Sequence, residues 1–286
     1  VYKRQKYAAS VAGLLLLLSI GVSVWMRQDR DNIRDIEEQI ESGNVHAMLT
    51  LGSGEVVLLK HDTNRLILVD TTLQVVNEQN ALVYSEMGNK GTTESKKYNM
   101  LTVLTKVFLN SNSEIHYPEV FTGDRREVFL KGEAWFEVAK DSKREFRVHV
   151  GEIDINVLGT SFNVNAYESL KTVAATLVKG CVEVSCAGKN FRIVPGEQFV
   201  YDKNSREANV RMVDTEEYTS WKDGYYKFKQ ATLEEIMTTL SVWYGVNLFY
   251  QNENVKQLEF TGKVKRYENI RTLLNKFEQT ENVVFD

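Results

Sequence analysis

The stretch KGEAWFEVAKD, residues 131–141, sets the architecture of the chain. Successive side chains of an extended strand point to opposite faces, so Ala134, Phe136 and Val138 share one side and Glu133, Trp135 and Glu137 the other. GTSFNVNAY, residues 159–167, repeats the scheme: Phe162, Val164 and Ala166 alternate with Ser161, Asn163 and Asn165. Both read as one-sided strands, apolar inward and wet outward. Similar short runs lie on either side: HAMLTL (46–51), EVVLLK (55–60), RLILVD (65–70), REVFL (126–130), FRVHV (146–150), IDINVLG (153–159), TLVKGCVEVS (176–185) and FRIV (191–194). Gly, Asn, Asp and Ser clusters separate them, and no helical pattern of ten residues intervenes. Residues 45–213 are therefore expected to form an all-β, jelly-roll-like sandwich.

The pattern changes at Trp221. ATLEEIMTTLSVWYG places Leu233, Ile236, Leu240 and Trp243 on one helical face, with Thr232 and Glu235 spaced as a capping box and Gly245 as the stop. VNLFYQ and KQLEFTGKV come next as strands, YENIRTLLNKFEQTE as a helix through Ile270, Leu273, Leu274 and Phe277, and NVVFD as the start of another strand. The order αββαβ over residues 214–286 predicts a small α+β domain with helices on one face of a sheet. The fold class is thus mainly β, a membrane-anchored sandwich followed by a small α+β piece.

The anchor is read from the other end. Residues 8–26 carry no charge, close to the ~20 residues that cross a bilayer as a helix. Lys3, Arg4 and Lys6 precede the run, while Arg27 and Arg30 are mixed with Asp29 and Asp31 after it. The positive-inside bias puts residues 1–6 in the cytoplasm, a helix at 7–26 in the inner membrane, and the rest outside. A cleaved signal peptide is the rival, but SVWMRQDR holds no Ala-x-Ala site and Trp25 sits where an interfacial anchor belongs. Within the linker 27–44, Ile33, Ile36 and Ile40 form a narrow stripe on a short helix that either docks on the next domain or continues as a stalk.

Chemistry is sparse. The net charge of −4 gives no electrostatic footprint for nucleic acid. His46, His61, His116 and His149 lie in separate strands without metal-ligand spacing, so no metal or cofactor is expected. Cys181 and Cys186 would be roughly 16 Å apart on an extended strand, which reads as two unpaired cysteines. Glu133 and Glu137 face the same way but roughly 13 Å apart, so they read as solvated rather than as a hydrolytic pair. No GxSxG, Walker A or GxGxxG motif is present. One bond has chemical potential: Gly159 leaves its carbonyl unshielded beside the Thr160 hydroxyl, the arrangement for self-cleavage through an ester. Otherwise no enzyme is expected.

The assembled pieces are YNMLTV, FLNSNSEIHYPEVFTGDRREVFLKGEAWFEVAKD, FRVHV, VLGTSFNVNAY, TLVKGCVEV and VPGEQ, preceded by the single anchor. In this order they resemble the FecR family of transmembrane anti-sigma regulators. FTGKVKRYENIRTLL resembles the accompanying C-terminal domain, which is related to the secretin/TonB short N-terminal module. The resemblance implies a relay. A substrate-loaded TonB-dependent outer-membrane transporter is sensed in the periplasm, and an extracytoplasmic-function sigma factor is released inside to control uptake genes. It places the sigma-binding domain before Val1 and makes Gly159–Thr160 a candidate processing bond. It also implies a glycine-rich hairpin after Val103, which is missing here and whose absence predicts an exposed sheet edge. The transporter's signalling domain is expected on strand edges of the C-terminal module, at Val246, Leu248 and Tyr250 or at Leu258, Phe260 and Val264. The alternative is a tethered carbohydrate-binding or adhesive sandwich, with Trp135 as an exposed sugar-stacking ring.

Overall fold

The computed structural model describes residues 47–50, 56–59, 65–68, 73–78, 81–86, 105–116, 124–280 and 283–285, and only the backbone of the strands before Thr105. The expected membrane helix, the juxtamembrane stripe, His46, His61 and the segment after Val103 lie outside the described residues. Among those described, no helix is long and apolar enough to cross a membrane.

Among the described residues, sixteen strands build the body: β1 (Ala47–Thr50), β2 (Val56–Leu59), β3 (Arg65–Leu68), β4 (Leu73–Glu78), β5 (Ala81–Glu86), β6 (Thr105–Leu109), β7 (Glu114–His116), β8 (Arg125–Glu137), β9 (Glu145–Val150), β10 (Ile153–Val157), β11 (Ser161–Ala166), β12 (Thr172–Lys179), β13 (Val182–Cys186), β14 (Lys189–Ile193), β15 (Glu197–Asp202) and β16 (Ala208–Met212). They form two sheets joined by one strand. The first runs β2-β1-β7-β8-β9-β10-β13-β14 and the second β3-β4-β5-β6-β8-β11-β12-β15-β16. The N-terminal part of β8 pairs in parallel with β9 from Arg125 to Phe129, and its C-terminal part pairs antiparallel with β11 from Gly132 to Glu137.

The handover is at Gly132, whose φ of +87° suits glycine, and where a Cβ would stand 2.5 Å from Ser113 Oγ. Ser113 Oγ in turn accepts the Glu133 amide at 2.8 Å, so the corner is tied down as it turns. Between the sheets, Phe136 stacks on Phe162 with centroids 5.0 Å apart, and Val148, Ile155, Val164, Leu177 and Val184 fill the interior. The inward faces are those the alternation predicts. Cys186 lies in this core and Cys181 at the start of β13. The exposed edge predicted beside the missing hairpin is absent, because β6 pairs with β5 on one side and β8 on the other.

The compact unit runs from Gly43 to Tyr267 and so extends well past the sandwich. Beyond β16, α1 (Thr215–Thr219) leads through a 3-10 turn to β17 (Tyr225–Thr232), α2 (Leu233–Tyr244) and β18 (Glu259–Lys265). Helix α2 carries the predicted capping box, with Thr232 and Glu235 bonded reciprocally, and ends at Gly245 in the left-handed conformation.

Two strand expectations are corrected. Residues 246–250 are not a strand: β18 takes its partner from β17, before the helix, and not from the segment leaving Gly245. Val283, Val284 and Phe285 are not strand residues either. The sequence reading also assigns no strand to Tyr225–Thr232, where β17 lies, irregular at its bulge around Gln230. The small piece is therefore strand–helix–strand–helix among the described residues. Its last element, α3 (Ile270–Thr280), belongs to a separate unit, Glu268–Asp286, in which Arg271 donates to the Phe285 carbonyl and Glu278 accepts the Phe285 amide.

Gly132→Ala imposes both a disfavoured φ and a steric overlap with Ser113. We expect a loss of about 3 kcal/mol, the upper end for one strained backbone position, in denaturant unfolding. Gly188→Ala, also at positive φ (+75°) but with open space around the added carbon, should cost clearly less.

Candidate functional site

The centre of the outward face of the β8–β11 pair is not wet. Glu133 is 7% exposed, Trp135 4% and Asn163 2%, because the segment from Trp221 to Tyr267 covers them. This corrects the reading of Glu133 as solvated and of Trp135 as an exposed sugar-stacking ring. Sequence alternation identifies which side chains share a face. It does not reveal that a segment roughly ninety residues later lies upon that face. Trp135 instead donates through Nε1 to Glu137 Oε1 at 3.1 Å, and Lys222 Nζ sits 5.3 Å from its ring centroid.

Glu133 is the centre of the covered face. Asn110 Nδ2 donates to its Oε2 at 2.6 Å and Asn163 Nδ2 to its Oε1 at 2.8 Å. The second strand thus brings Asn163 opposite Trp135 and next to Glu133, while Asn110 arrives from the end of β6. Asn163 Oδ1 then accepts from Trp221 Nε1 at 3.0 Å, linking the carboxylate to the covering segment. Burial pushes the Glu133 carboxyl above its ordinary 4.5, and the amide bonds from Asn163 and Asn110 and the charge of Arg266 pull it partly back.

Arg266 closes the network from above. Its Nη2 donates to Asn110 Oδ1 at 2.5 Å and its Nη1 to the Trp221 carbonyl at 2.7 Å. The guanidinium lies 3.7 Å over the Trp243 ring, and Trp243 Nε1 donates to the Arg266 carbonyl at 2.5 Å. Tyr226, beneath the same guanidinium, has its phenol raised to about 12 by burial. A cavity of about 40 Å³ lies beside the network, between Thr238, Thr239 and Val242 on α2 and Asn165, Tyr167 and Leu170 of the sandwich. Asn112 Nδ2 donates to the Val242 carbonyl at 3.1 Å at its rim. This seam holds two facing surfaces together through directed polar bonds; nothing in it presents an activated nucleophile or a metal-binding group.

The remaining predicted residues lie apart. Thr160 is buried; its Oγ1 donates to the Cys181 carbonyl at 3.0 Å and its amide to the Val138 carbonyl at 3.1 Å. A Cβ on Gly180 would stand 2.8 Å from both the Gly159 oxygen and Thr160 Oγ1, so only glycine permits this packing. Val246, Leu248 and Tyr250 are part-exposed in the non-strand segment, with Phe249 between them 89% exposed. Leu258, Phe260 and Val264 lie in or beside β18, which pairs with β17 along one edge only among the described strands. His149 Nδ1 lies 2.7 Å from Asp154, its ring stacked on Phe129, and His116 pairs with Glu114. Among the described residues no cluster suited to a metal ion occurs. The sequence signal for the seam was present in FNVNAY and AWFEV: amides, a carboxylate and an indole on one strand face are costly to leave dry and unpaired.

Residues 92–183 match the family model described as FecR protein, and residues 225–286 match the model described as FecR, C-terminal. Two crystal structures of a candidate anti-sigma factor from Parabacteroides distasonis ATCC 8503 are similar to the chain. Their identities are 27% and 28%, with TM-scores of 0.58 and 0.55, and each similarity covers 64% of this chain and 85% of the other. No curated protein matches the chain.

The raised Glu133 value carries a sign. A carboxyl that holds its proton more tightly when folded contributes stability below about pH 4.5, and that contribution fades as pH rises through the native value. Glu133→Gln should therefore flatten the fall in unfolding free energy measured between about pH 4.5 and 8. At neutral pH, Glu133→Ala strands Asn110, Asn163 and the Arg266 charge, and should cost about 3–5 kcal/mol in the same assay.

Proposed function

The chain belongs to the FecR family and is an anti-sigma regulator, and from that premise we propose that it relays an outer-membrane signal to a sigma factor. In this reading residues 7–26 cross the inner membrane once with the basic end in the cytoplasm, and both folded parts lie in the periplasm. The signal source is a TonB-dependent transporter whose periplasmic signalling domain contacts the C-terminal module. The recipient is an extracytoplasmic-function sigma factor. The observation that carries this reading is the ordered match of both family segments along one chain that opens with an uncharged run of membrane-spanning length. The function is not catalytic turnover.

We place the transporter contact along the free edge of β18, from Leu258 to Val264. An edge strand offers unpaired backbone donors and acceptors to an incoming strand. Thr261, Gly262 and Lys263 are exposed there. The loop Val246–Tyr250 is then a flanking contact, since it has no ladder to extend.

Retention of the transporter's signalling domain by the whole chain in nanodiscs tests the relay. A proline scan over Thr261, Gly262 and Lys263 tests the edge. Alternate strand residues direct their amides outward, so proline at an outward position should weaken retention by about tenfold or more with β17 still paired. Unchanged retention at all three positions would remove β18 as the docking edge.

The proposed self-processing is a separate step. Thr160 Oγ would attack the Gly159 carbonyl carbon, the C–N bond would break as the Thr160 nitrogen takes the proton, and water would open the resulting ester. Close packing by Gly180 and Lys140 holds the peptide in place, which supports a positioned attack. Mass spectrometry of the expressed chain should show a break after Gly159 that Thr160→Ala abolishes. An intact wild-type chain would end that reading.

A further inference from the structure

We propose that Arg266 is a release latch: it fastens the covering segment to the sandwich, so that a partner pulling on β18 uncovers Trp135, Asn163 and Glu133. The latch deepens the relay and rests on it for the identity of the pull, a transporter's signalling domain at the β18 edge.

Position is the first argument. Arg266 follows the last residue of β18 directly, and its amide donates to the Gly224 carbonyl at 3.1 Å, which extends the β17–β18 pairing by one bond. Any displacement of β18 therefore moves Arg266. The side chain reaches three places at once. Nη2 meets Asn110 on the sandwich, Nη1 meets the Trp221 carbonyl ahead of β17, and the guanidinium plane covers Trp243 on α2. Both indoles of the covering segment are thus held through one residue, and Asn110 passes the connection to Glu133.

The chemistry of the uncovered face is the second argument. A permanent interface is commonly sealed by apolar burial, and exposing one invites aggregation. Beside the ring of Trp135, the face under the latch carries Glu133, Asn163 and Asn110, whose groups exchange protein hydrogen bonds for water when they open. Packing on the α2 side is incomplete as well, with the cavity of about 40 Å³ bordered by Thr238 and Thr239. The guanidinium is itself short of one partner, since its buried Nε makes no hydrogen bond. A largely polar seam in which one fork-shaped cation ties three elements, beside the single Trp221–Asn163 and Asn112–Val242 bonds, suits an interface that opens and recloses.

Hydroxyl-radical footprinting of the whole chain in nanodiscs, read residue by residue by mass spectrometry, tests the latch. Phe129, 52% exposed on the sandwich and away from the proposed contact, is the open reference and Phe136, 0% exposed, the closed one. Arg266→Lys keeps the charge but loses the fork, and should raise labelling of Trp135 by about fivefold or more while Phe136 stays protected. Adding the transporter's signalling domain to the wild type should do the same. If Arg266→Lys also exposes Phe136, the variant has unfolded, and Trp243→Phe, which removes the indole bond to the Arg266 carbonyl and keeps an aromatic ring, smaller than the indole, under the guanidinium, is used in its place. Trp135 that stays protected in the folded variant, or in wild type with the domain demonstrably bound, overturns the latch and leaves the docking reading standing. Failure of the domain to bind defeats that reading alone, because the variant arm still decides whether Arg266 fastens the seam.

Discussion

The structure depends on one strand serving two sheets. β8 is thirteen residues long, more than twice the usual strand, and it can change partners midway only because Gly132 turns the backbone where a side chain would strike Ser113. Everything on either side takes its register from that handover. The parallel pairing with β9 sets the first sheet, and the antiparallel pairing with β11 sets the second. The residue after the corner is Glu133, so the geometry that joins the sheets also aims a carboxylate out of the sandwich.

A carboxylate so aimed needs either water or partners. Here it has partners, and they are recruited from distant parts of the chain: Asn110 from the loop after β6, Asn163 from β11, and Arg266 from beyond β18 through Asn110. Each bond leaves the next group directed at a further element. Asn163 is fixed with its oxygen toward Trp221, and Arg266 is fixed over Trp243. The covering segment is therefore positioned by a chain of directed bonds, whereas the sandwich interior is filled by side chains such as Phe136 and Phe162, whose attraction is without direction. The two regions accordingly differ in how they respond to force. Under the proposed latch, the core stays closed as a unit while the seam opens bond by bond.

For an anti-sigma regulator this division has a use. The sandwich forms one packed body, and the seam proposed to open joins it to β18, whose second edge is open among the described strands. The exposed ion network around Glu216, with Lys227 and Lys263 holding its carboxyl down at about 2, ties α1 to β17 and β18 on the surface and takes no part in the seam. Gly159 and Thr160 lie elsewhere, against Gly180 and Lys140, so a processing event there would act on the sandwich and not on the seam.

Strict alternation in KGEAWFEVAKD and GTSFNVNAY was enough to identify β8 and β11 and to choose their inner faces, because period-two patterning is local and burial on one side enforces it. The capping box at Thr232 and the stop at Gly245 were legible for the same reason: each is a bond or a dihedral within one helical turn. The pairing of β18 with β17 was not, since VNLFYQ alternates as well as a strand does, and only the choice of partner excludes it. Nor was the burial of Glu133 and Trp135, which side chains a hundred residues away decide. Sequence by itself determined what is fixed by neighbours along the chain, namely strand faces, helix ends and the family to which they belong. Tertiary structure alone decided which polar face is wet, because a hydrogen bond such as Trp221 to Asn163 depends on where two distant segments meet, and no local period encodes that meeting.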